Sequence, residues 1–212
     1  METPVNTATW DRKDAYELFK TFEDPFFGVQ INLDITALWA RAKAGGHSIH
    51  HALLYATTKV ANDYAPMRYR RRGAGVVELD CIHMGCSVLV EGTEAMTFAY
   101  YPWEKGIAYA AFEPKAKEIT QNAASGIPLD PMHHMDNLIY GTTLPWISFS
   151  GFKHAKKAGT HSIPRTVFGK AFDQEGKKLL PFNIEVDHAL MDGIHVARYL
   201  ELLQNELDHL LA

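Results

Sequence analysis

The C-terminal stretch from Leu179 to Leu211 constrains the fold more than any other part of the chain. A strand-like apolar run, Leu179–Val186, passes through a short turn into a segment whose apolar residues have helical spacing. Those residues recur at intervals of four, three, four and three: Val196, Leu200, Leu203, Leu207 and Leu210. The stretch therefore predicts a strand that leads directly into an amphipathic helix, Ile194–Leu211.

The turn between strand and helix has the pattern His188-x-x-x-Asp192-Gly193. A histidine at the end of a strand can act as a general base near neutral pH. An aspartate four residues later can brace the backbone or pair with an arginine, and the glycine permits a tight turn. The same residues suit an ordinary loop in which His188 is hydrogen-bonded and Asp192 caps the helix. The turn by itself supports both interpretations equally.

The rest of the chain alternates between strand-like and helix-like segments, which predicts one α/β domain over residues 1–212. The predicted helices are Asp11–Phe22, a segment capped by Asp34 or Thr36 that runs to Ala44, Ser48–Asp63, Glu104–Asn122 and Ile194–Leu211. Gly45-Gly46 is predicted to end the second helix, and Ser48 to cap the third. The predicted strands are Phe26–Leu33, Met67–Arg71, Gly75–Leu79, Ile82–Val90, Thr93–Tyr101, Leu138–Tyr140, Trp146–Phe149, Pro164–Phe172 and Leu179–Val186. Segments 124–135 and 153–159 are predicted loops.

The composition argues against several classes of protein. Of the 212 residues, 47% are hydrophobic and 22% charged, as in ordinary globular proteins. A formal net charge of -4 gives no electrostatic case for nucleic-acid binding. No apolar run is long enough to span a membrane, and we identify no secretory signal. Cys81 and Cys86 are predicted to point to opposite faces of a strand and not to pair, which fits a cytoplasmic protein.

Histidines and arginines form local clusters. His47, His50 and His51 lie close together, and His133 is followed by His134. No carboxylate or cysteine lies at metal-ligand spacing from these histidines, so we predict no metal site. The run Arg68–Arg72 is predicted to be a solvated strand end or hairpin tip, with an interaction site as the alternative.

Three motifs together carry a family resemblance. They are the C-terminal His188 motif with the run Gly193–Arg198, the sequence Trp10-Asp11-Arg12, and the sequence Leu144-Pro145-Trp146. From Trp10 to about Leu203 the chain resembles the chloramphenicol acetyltransferase family. The resemblance implies a homotrimer with a large mixed β-sheet flanked by helices and active sites between subunits. It also implies acetyl-CoA as a co-substrate that is not tightly bound, a small hydroxyl-bearing acceptor, and no covalent acyl-enzyme.

The resemblance assigns roles to four residues near the reaction. His188 matches the general base that deprotonates the acceptor hydroxyl. Asp192 matches an aspartate that forms a structural salt bridge with an arginine, here Arg12. Thr142 stands where the family has a serine that donates a hydrogen bond to the tetrahedral intermediate, and threonine retains that hydroxyl.

The resemblance implies a CoA-binding side that departs from the family. Lys170 falls where the family has a lysine near the CoA phosphate, and a solvent-exposed strand lysine is the equal alternative. Ser48 and His50 fall where the family has a lysine and an aromatic residue. Trp146 of the Pro-Trp pair belongs to the same predicted group.

The resemblance also implies an acceptor pocket whose chemistry has changed. Phe19 replaces a tyrosine, Val167 replaces a threonine, and Arg165 replaces an apolar residue. His154 and Lys156 replace further apolar positions, whereas Phe152 is retained. Other predicted pocket residues are Met96, Phe98 and Tyr140. The loss of hydroxyls and the gain of basic groups indicate a more polar or anionic acceptor.

Position 187 shows a further departure, because Asp187 replaces the first histidine of the family's His-His pair. Dihydrolipoamide acyltransferases also have Asp-His at this point. Three hypotheses follow. The first is acetyl-CoA-dependent O-acetylation, with chloramphenicol as one candidate acceptor. The second is acyl transfer to another acceptor, such as a lipoyl-like thiol or a polar or anionic small molecule. The third is a catalytically silent trimeric binding protein.

Overall fold

A computed structural model describes residues 1–126, 135–156 and 162–212. The described helices are α1 (Lys13–Phe19), α2 (Thr36–Gly45), α3 (Ile49–Asp63), α4 (Tyr109–Ala124) and α5 (Gly193–His209). The described strands are β1 (Glu2–Val5), β2 (Phe26–Asp34), β3 (Tyr69–Arg72), β4 (Gly75–Leu79), β5 (His83–Leu89), β6 (Met96–Tyr101), β7 (Leu138–Thr143), β8 (Arg165–Phe168), β9 (Phe172–Gln174) and β10 (Lys177–Asp187). Residues 127–134, which include His133 and His134, and residues 157–161 lie outside the described part.

The strands form one large mixed sheet and one small sheet. The large sheet has the order β2-β10-β8-β7-β5-β6, and β9 adds to β10. Strands β5, β7 and β8 are parallel neighbours, whereas β10 is antiparallel to both β2 and β8. The small sheet has the order β1-β4-β3.

One face of the large sheet packs against the helices. On β10, Phe182, Ile184 and Val186 point to this face and are at most 1% exposed. Their cross-strand partners on β2 lie on the same face, because residues in register share a face, and these partners are apolar as well. The helices complete this core with Leu38, Leu54, Val60, Tyr199, Leu203 and Leu207.

The opposite face of the large sheet carries polar and aromatic side chains, and we call it the second face. Side chains alternate along a strand, so Asn183, Glu185 and Asp187 of β10 point to it. All three side chains are polar or charged, yet each residue is at most 4% exposed. Segment 149–156 supplies contacts to Glu185, and strand β3 supplies one to Asp187, as described below.

Most of the element predictions are confirmed. The structure contains the predicted C-terminal strand and amphipathic helix, and the predicted strands Phe26–Leu33 and Gly75–Leu79. Ser48 is the N-cap of α3, where its side chain accepts a hydrogen bond from the His51 N–H. Gly46 ends α2 with a φ of 68°, a left-handed conformation that favours glycine. Both cysteines are free.

The strand prediction for Trp146–Phe149 is wrong, and Pro164–Phe172 is two strands rather than one. The chain turns after Thr143, because the Ile147 N–H bonds the Leu144 carbonyl and Pro145 has no N–H to continue a ladder. The Ile147 carbonyl then accepts from the Lys170 N–H, which takes residues 169–171 out of the sheet. A side chain at Gly169 would meet Phe149 at 2.9 Å, so this crossing requires glycine.

Other predicted elements also differ from the structure, among them the three that follow. Helix α4 begins at Tyr109 rather than Glu104, because Gly106 adopts a φ of 78° and Ile107 closes a turn on the Glu104 carbonyl. Met67 lies in a short 3₁₀ helix, Ala65–Arg68, instead of a strand. Strand β1 was not predicted, since its four residues pair only with β4 and leave no strong local pattern.

The prediction of a solvated arginine run is wrong. The run does form one arm of the β3–β4 hairpin, but Arg70 is fully buried. Its guanidinium donates hydrogen bonds to the carbonyls of Asp136, Leu138, Met67 and Tyr69 at 2.6 to 3.0 Å. Burial lowers the pKa of Arg70 to about 9, and nearby Asp136 opposes this shift. Arg70 thereby joins the small sheet to the start of β7.

We expect Arg70→Met to destabilise the protein by about 3 kcal/mol, because four carbonyls would lose the hydrogen bonds that Arg70 donates to them. Urea unfolding followed by circular dichroism would measure the change. The exposed Lys105→Met is the matched control and should shift the free energy of unfolding by less than about 0.5 kcal/mol. Equal effects of the two substitutions would contradict the assignment.

Candidate active site

The His188 imidazole lies at the end of β10 between two aromatic rings. Its centroid is 3.8 Å from that of Phe19 with an interplanar angle of 9°, and 4.6 Å from that of Phe27. The side chain is 31% exposed, so a reactant can reach it. The Phe19 ring that replaces the family's tyrosine thus fixes the plane of the imidazole. Phe27 was not singled out from sequence, where its alternation indicated only a sheet residue.

Arg12 contacts the His188 turn at the His188 carbonyl and at Asp192. Arg12 Nη2 donates a hydrogen bond to the His188 carbonyl at 2.7 Å, and Arg12 Nη1 forms an ion pair with Asp192. The other Asp192 oxygen lies 3.1 Å from His188 Nδ1, although no directed hydrogen bond joins that pair. The structure therefore contains the pairing of Arg12 with Asp192 that the resemblance implies. Burial lowers the pKa of Arg12, and the Asp187 charge opposes the shift.

The first turn of α5 also holds Asp192, through its backbone N–H. The Asp192 N–H donates to His195 Nδ1 at 3.0 Å, so this imidazole nitrogen is an acceptor. Burial lowers the pKa of His195, and the charges of Arg12 and Arg198 lower it further. A neutral His195 can keep this role across the neutral pH range.

The predicted acceptor-side residues gather on the second face of the large sheet. Strand register places Tyr140 beside Arg165 and Thr142 beside Val167. It also places Tyr140 beside Gly85, whose missing side chain leaves room for Tyr100 and Tyr140. The second face also carries Phe98 and Met96, which lie further out on β6.

His188 and Thr142 are far apart within one chain. Thr142 is level with Val167 on β8 and, through it, with Asn183 on β10. His188 follows Asn183 by five residues, so strand spacing and rise place the two side chains about 20 Å apart. A single protomer does not bring the predicted base and the predicted oxyanion donor to one reacting group.

Five ionisable residues form a charge cluster at the edge of the second face: Asp24, His154, Lys156, Arg165 and Glu185. Glu185 accepts from the His154 N–H at 2.7 Å and lies 2.9 Å from His154 Nδ1. Lys156 bonds Asp24 at 2.7 Å and lies 3.9 Å from Glu185. Burial would raise the pKa of Glu185, but His154 and Lys156 outweigh it and lower the pKa.

Arg165 is a buried cation of this cluster that keeps a hydrogen-bond donor available. It is 8% exposed, lies opposite Glu185 in the register of β8 and β10, and stacks its guanidinium 4.8 Å from the Phe26 ring centroid. Its Nη1 is buried without a hydrogen-bond partner among the described residues. Phe152 lies beside the cluster, with its ring 4.7 Å from that of His154.

Two of the predicted CoA-side residues line one cavity. His50 and Lys170 lie around a cavity of 330 Å³ together with Trp39, Thr143, Pro145 and Phe168. His50 Nδ1 is 3.2 Å from the Thr143 hydroxyl, and burial lowers the pKa of His50 to about 4. Lys170 is exposed, and Trp146 is 64% exposed beside the cavity wall at Pro145. Ser48 is not in this wall, since its hydroxyl caps α3.

Glu113 holds the start of α3, where Ser48 and His50 lie. It accepts hydrogen bonds from the Ser48 N–H at 2.8 Å and from His47 at 2.6 Å, and Lys117 lies 3.0 Å away. Burial would raise the pKa of Glu113, but these contacts outweigh it and lower the pKa to about 2. Glu113 is separated by 65 residues from Ser48, so local sequence did not reveal the contact.

Residues 1–126, 135–156 and 162–212 contain neither a cluster of metal-ligand side chains nor a long apolar helix. Within these residues no three His, Cys, Asp or Glu side chains converge as metal ligands do. None of the helices there is both long and apolar enough to cross a membrane.

The mixed sheet, covered by helices on one face, is a fold found in solved acetyltransferases. A solved chloramphenicol acetyltransferase matches with a TM-score of 0.89 at 22% identity, over 98% of this chain and 100% of that one. Azotobacter vinelandii dihydrolipoamide acetyltransferase matches with a TM-score of 0.70 at 18% identity, over 92% and 86%.

The chain belongs to the chloramphenicol acetyltransferase family, whose model matches residues 2–204. A chloramphenicol acetyltransferase from Proteus mirabilis is 27% identical over 205 residues, which are 96% of this chain and 94% of that protein. The resemblance inferred from the three motifs is confirmed, and so is the prediction of an acyltransferase.

We expect the Glu113 contacts to give acid-sensitive stability. Because the folded-state pKa lies near 2, below the ordinary 4.5, their contribution is present above about pH 4.5 and is lost as the pH falls towards 2. Glu113→Gln should therefore lower the melting temperature at pH 5, with a smaller difference at pH 3. Glu118→Gln, a change at an exposed position on the same helix, should differ from the wild type in melting temperature by the same amount at both pH values. A pH-independent gap for Glu113→Gln would contradict the pKa direction.

Proposed function

We propose that the protein transfers the acetyl group of acetyl-CoA to the hydroxyl of a small acceptor, with chloramphenicol as the first acceptor to test. The observation that carries the proposal is the His188 turn, in which a reachable imidazole lies between Phe19 and Phe27 and its carbonyl is bonded to Arg12. Acetyl-CoA serves as a co-substrate, and the cavity at His50 and Lys170 is its proposed binding side.

In the proposed reaction His188 acts as a general base. Its imidazole accepts the proton of the acceptor hydroxyl while the hydroxyl oxygen attacks the thioester carbonyl. The tetrahedral oxyanion accepts a hydrogen bond from the Thr142 hydroxyl. When the carbon–sulfur bond breaks, the imidazolium returns the proton to the CoA thiolate. Arg12 and Asp192 position the turn and take no part in proton transfer.

The separation of His188 from Thr142 supports an active site shared between two copies of the chain. Since about 20 Å divides the two residues in one protomer, the base of one copy has to meet the second face of another. A homotrimer with three such sites, as the resemblance implies, satisfies this requirement. Analytical ultracentrifugation of the purified protein would give the mass of the assembly.

The decisive experiment follows thiol release from acetyl-CoA with chloramphenicol and with a panel of alcohols, amines and thiols including dihydrolipoamide. We expect acceptor-dependent release with the wild type and a loss of at least about 10²-fold with His188→Ala, because the general base is gone. The melting temperature should stay close to the wild-type value, since the imidazole is one-third exposed.

Each other outcome has a distinct meaning. Turnover of dihydrolipoamide alone would favour the thiol-acceptor alternative. Release that persists in His188→Ala would contradict the proposed base. Silence of a folded assembly with every acceptor, together with no binding of CoA, would favour the silent binding protein.

The charge cluster favours a second candidate, an acceptor alcohol that also carries a carboxylate or phosphate group. Arg165 Nη1 is a buried donor without a partner among the described residues, and an anionic group would satisfy it. Arg165 and Thr142 share the second face, so such an acceptor could present its hydroxyl to the reaction while its anion binds Arg165.

We expect Arg165→Val to lower kcat/KM for anionic alcohols by about 10-fold or more, because a charge-assisted hydrogen bond is lost. The same change should leave or raise kcat/KM for chloramphenicol, which carries no anionic group. Lys153→Val, an exposed change in the segment that covers the cluster, is the control. A uniform loss across neutral and anionic alcohols would argue against this specificity.

A further inference from the structure

We propose that Arg71 is a second positioning arginine of the active site. It holds Asp187, which directly precedes His188, while Arg12 holds Asp192, four residues after His188. The proposal rests on the proposed role of His188 as the base. It concerns an arginine in the small sheet that no motif of the resemblance includes.

Asp187 organises the turn that carries His188. Its Oδ1 accepts the Ala189 N–H at 2.9 Å. Its main-chain carbonyl accepts the N–H groups of Leu190 and Met191 at 2.9 and 3.0 Å. Three backbone N–H groups after β10 are thus bonded to this one residue, and they belong to the residues that directly follow His188. A small rotation of Asp187 would therefore move the imidazole.

The Asp187 carboxylate is 2% exposed and needs a cation. Burying an unpaired carboxylate is costly, so such groups occur with a partner or lose their charge. Arg71 Nε lies 3.0 Å from Asp187 Oδ2 and supplies that partner. The contact is an ion pair without the alignment of a directed hydrogen bond. Burial raises the pKa of Asp187, and the Arg71 charge is the main effect that opposes the rise.

Arg71 also contacts the residue that directly follows Phe19, whose ring lies against His188. Its Nη1 donates to the Lys20 carbonyl at 3.4 Å, directly after the helix that carries Phe19. Its own N–H donates to the Ser162 hydroxyl at 3.0 Å, which anchors the strand. One guanidinium therefore links the end of β10 to the end of α1. These two elements supply the imidazole and the ring stacked on it.

The neighbouring arginines provide internal comparisons. Arg70 is bound to backbone carbonyls, and Arg72 pairs with Glu2 and Asp136 away from the His188 turn. Only Arg71 of these three contacts the turn, because alternate residues of β3 point to opposite sides and Arg70 is buried in the other direction. Arg72→Met is therefore the matched control.

The test is a double-mutant cycle on Arg71 and Asp187, read as separate kcat and KM values for acetyl-CoA and for the best acceptor. Arg71→Met should lower kcat by about 10- to 100-fold, because a misplacement of about 1 Å at a reacting group costs this much. KM for acetyl-CoA should change by less than about 2-fold, since Arg71 does not line the cavity proposed for CoA.

Rescue separates positioning from general loss of structure. Asp187→Asn keeps the bond to Ala189 N–H without needing a cation, so it should cost less than Arg71→Met. The Arg71→Met, Asp187→Asn double variant should regain most of the kcat that Arg71→Met loses, because no buried charge is left unpaired. Arg71→Lys keeps the charge but loses the second contact at the Lys20 carbonyl, so its kcat should be intermediate.

The outcomes distinguish this inference from the proposed function. Wild-type kcat in Arg71→Met, or independent losses in the double variant, would overturn the role of Arg71 while leaving His188 in place. Full activity of His188→Ala would instead remove the proposed function. If Arg71→Met does not fold, Arg71→Lys and the double variant still decide the matter, and Arg72→Met should retain wild-type kcat in every case.

Discussion

The structure depends on the alternation of side chains along β10. Every second residue, from Leu180 to Val186, enters the core beneath the helices. The intervening residues Asn183, Glu185 and Asp187 are equally buried on the other side. A strand with charges buried on one face requires cations that reach it from elsewhere in the chain.

The cations that meet these charges and the neighbouring Asp192 come from four separate places. Arg165 of the neighbouring strand and Lys156 of the covering segment approach Glu185. Arg71 of the small sheet reaches Asp187, and Arg12 reaches Asp192 beyond the turn. The small sheet is thereby connected to the His188 turn, and Arg70 joins the same sheet to β7. Charge matching, as well as apolar packing, determines how the two sheets fit together.

Sequence reasoning succeeded where a local pattern carries the information. The apolar spacing of α5, the Ser48 cap and the Gly46 end of α2 each depend on residues within one or two turns. It failed where a contact with distant residues decided the outcome. Trp146–Phe149 has the composition of a strand, but Pro145 and the bond from Lys170 to Ile147 take it out of the sheet. The arginine run was predicted to be solvated because no local pattern points to Asp136 and Leu138, whose distant carbonyls accept two of the Arg70 hydrogen bonds.

The sequence by itself determined most of the strands and helices, the family, and the residue types of the predicted site, because periodicity and short motifs are local properties. Tertiary structure alone decided which of those residues lie together. Register places Tyr140, Thr142, Arg165 and Val167 on one face and His188 about 20 Å from Thr142. It also brought Arg71 to Asp187 and Glu113 to Ser48, pairs that no motif predicts. The physical reason is that buried charges and backbone groups take the partner that folding brings to them, and that partner can lie anywhere in the chain.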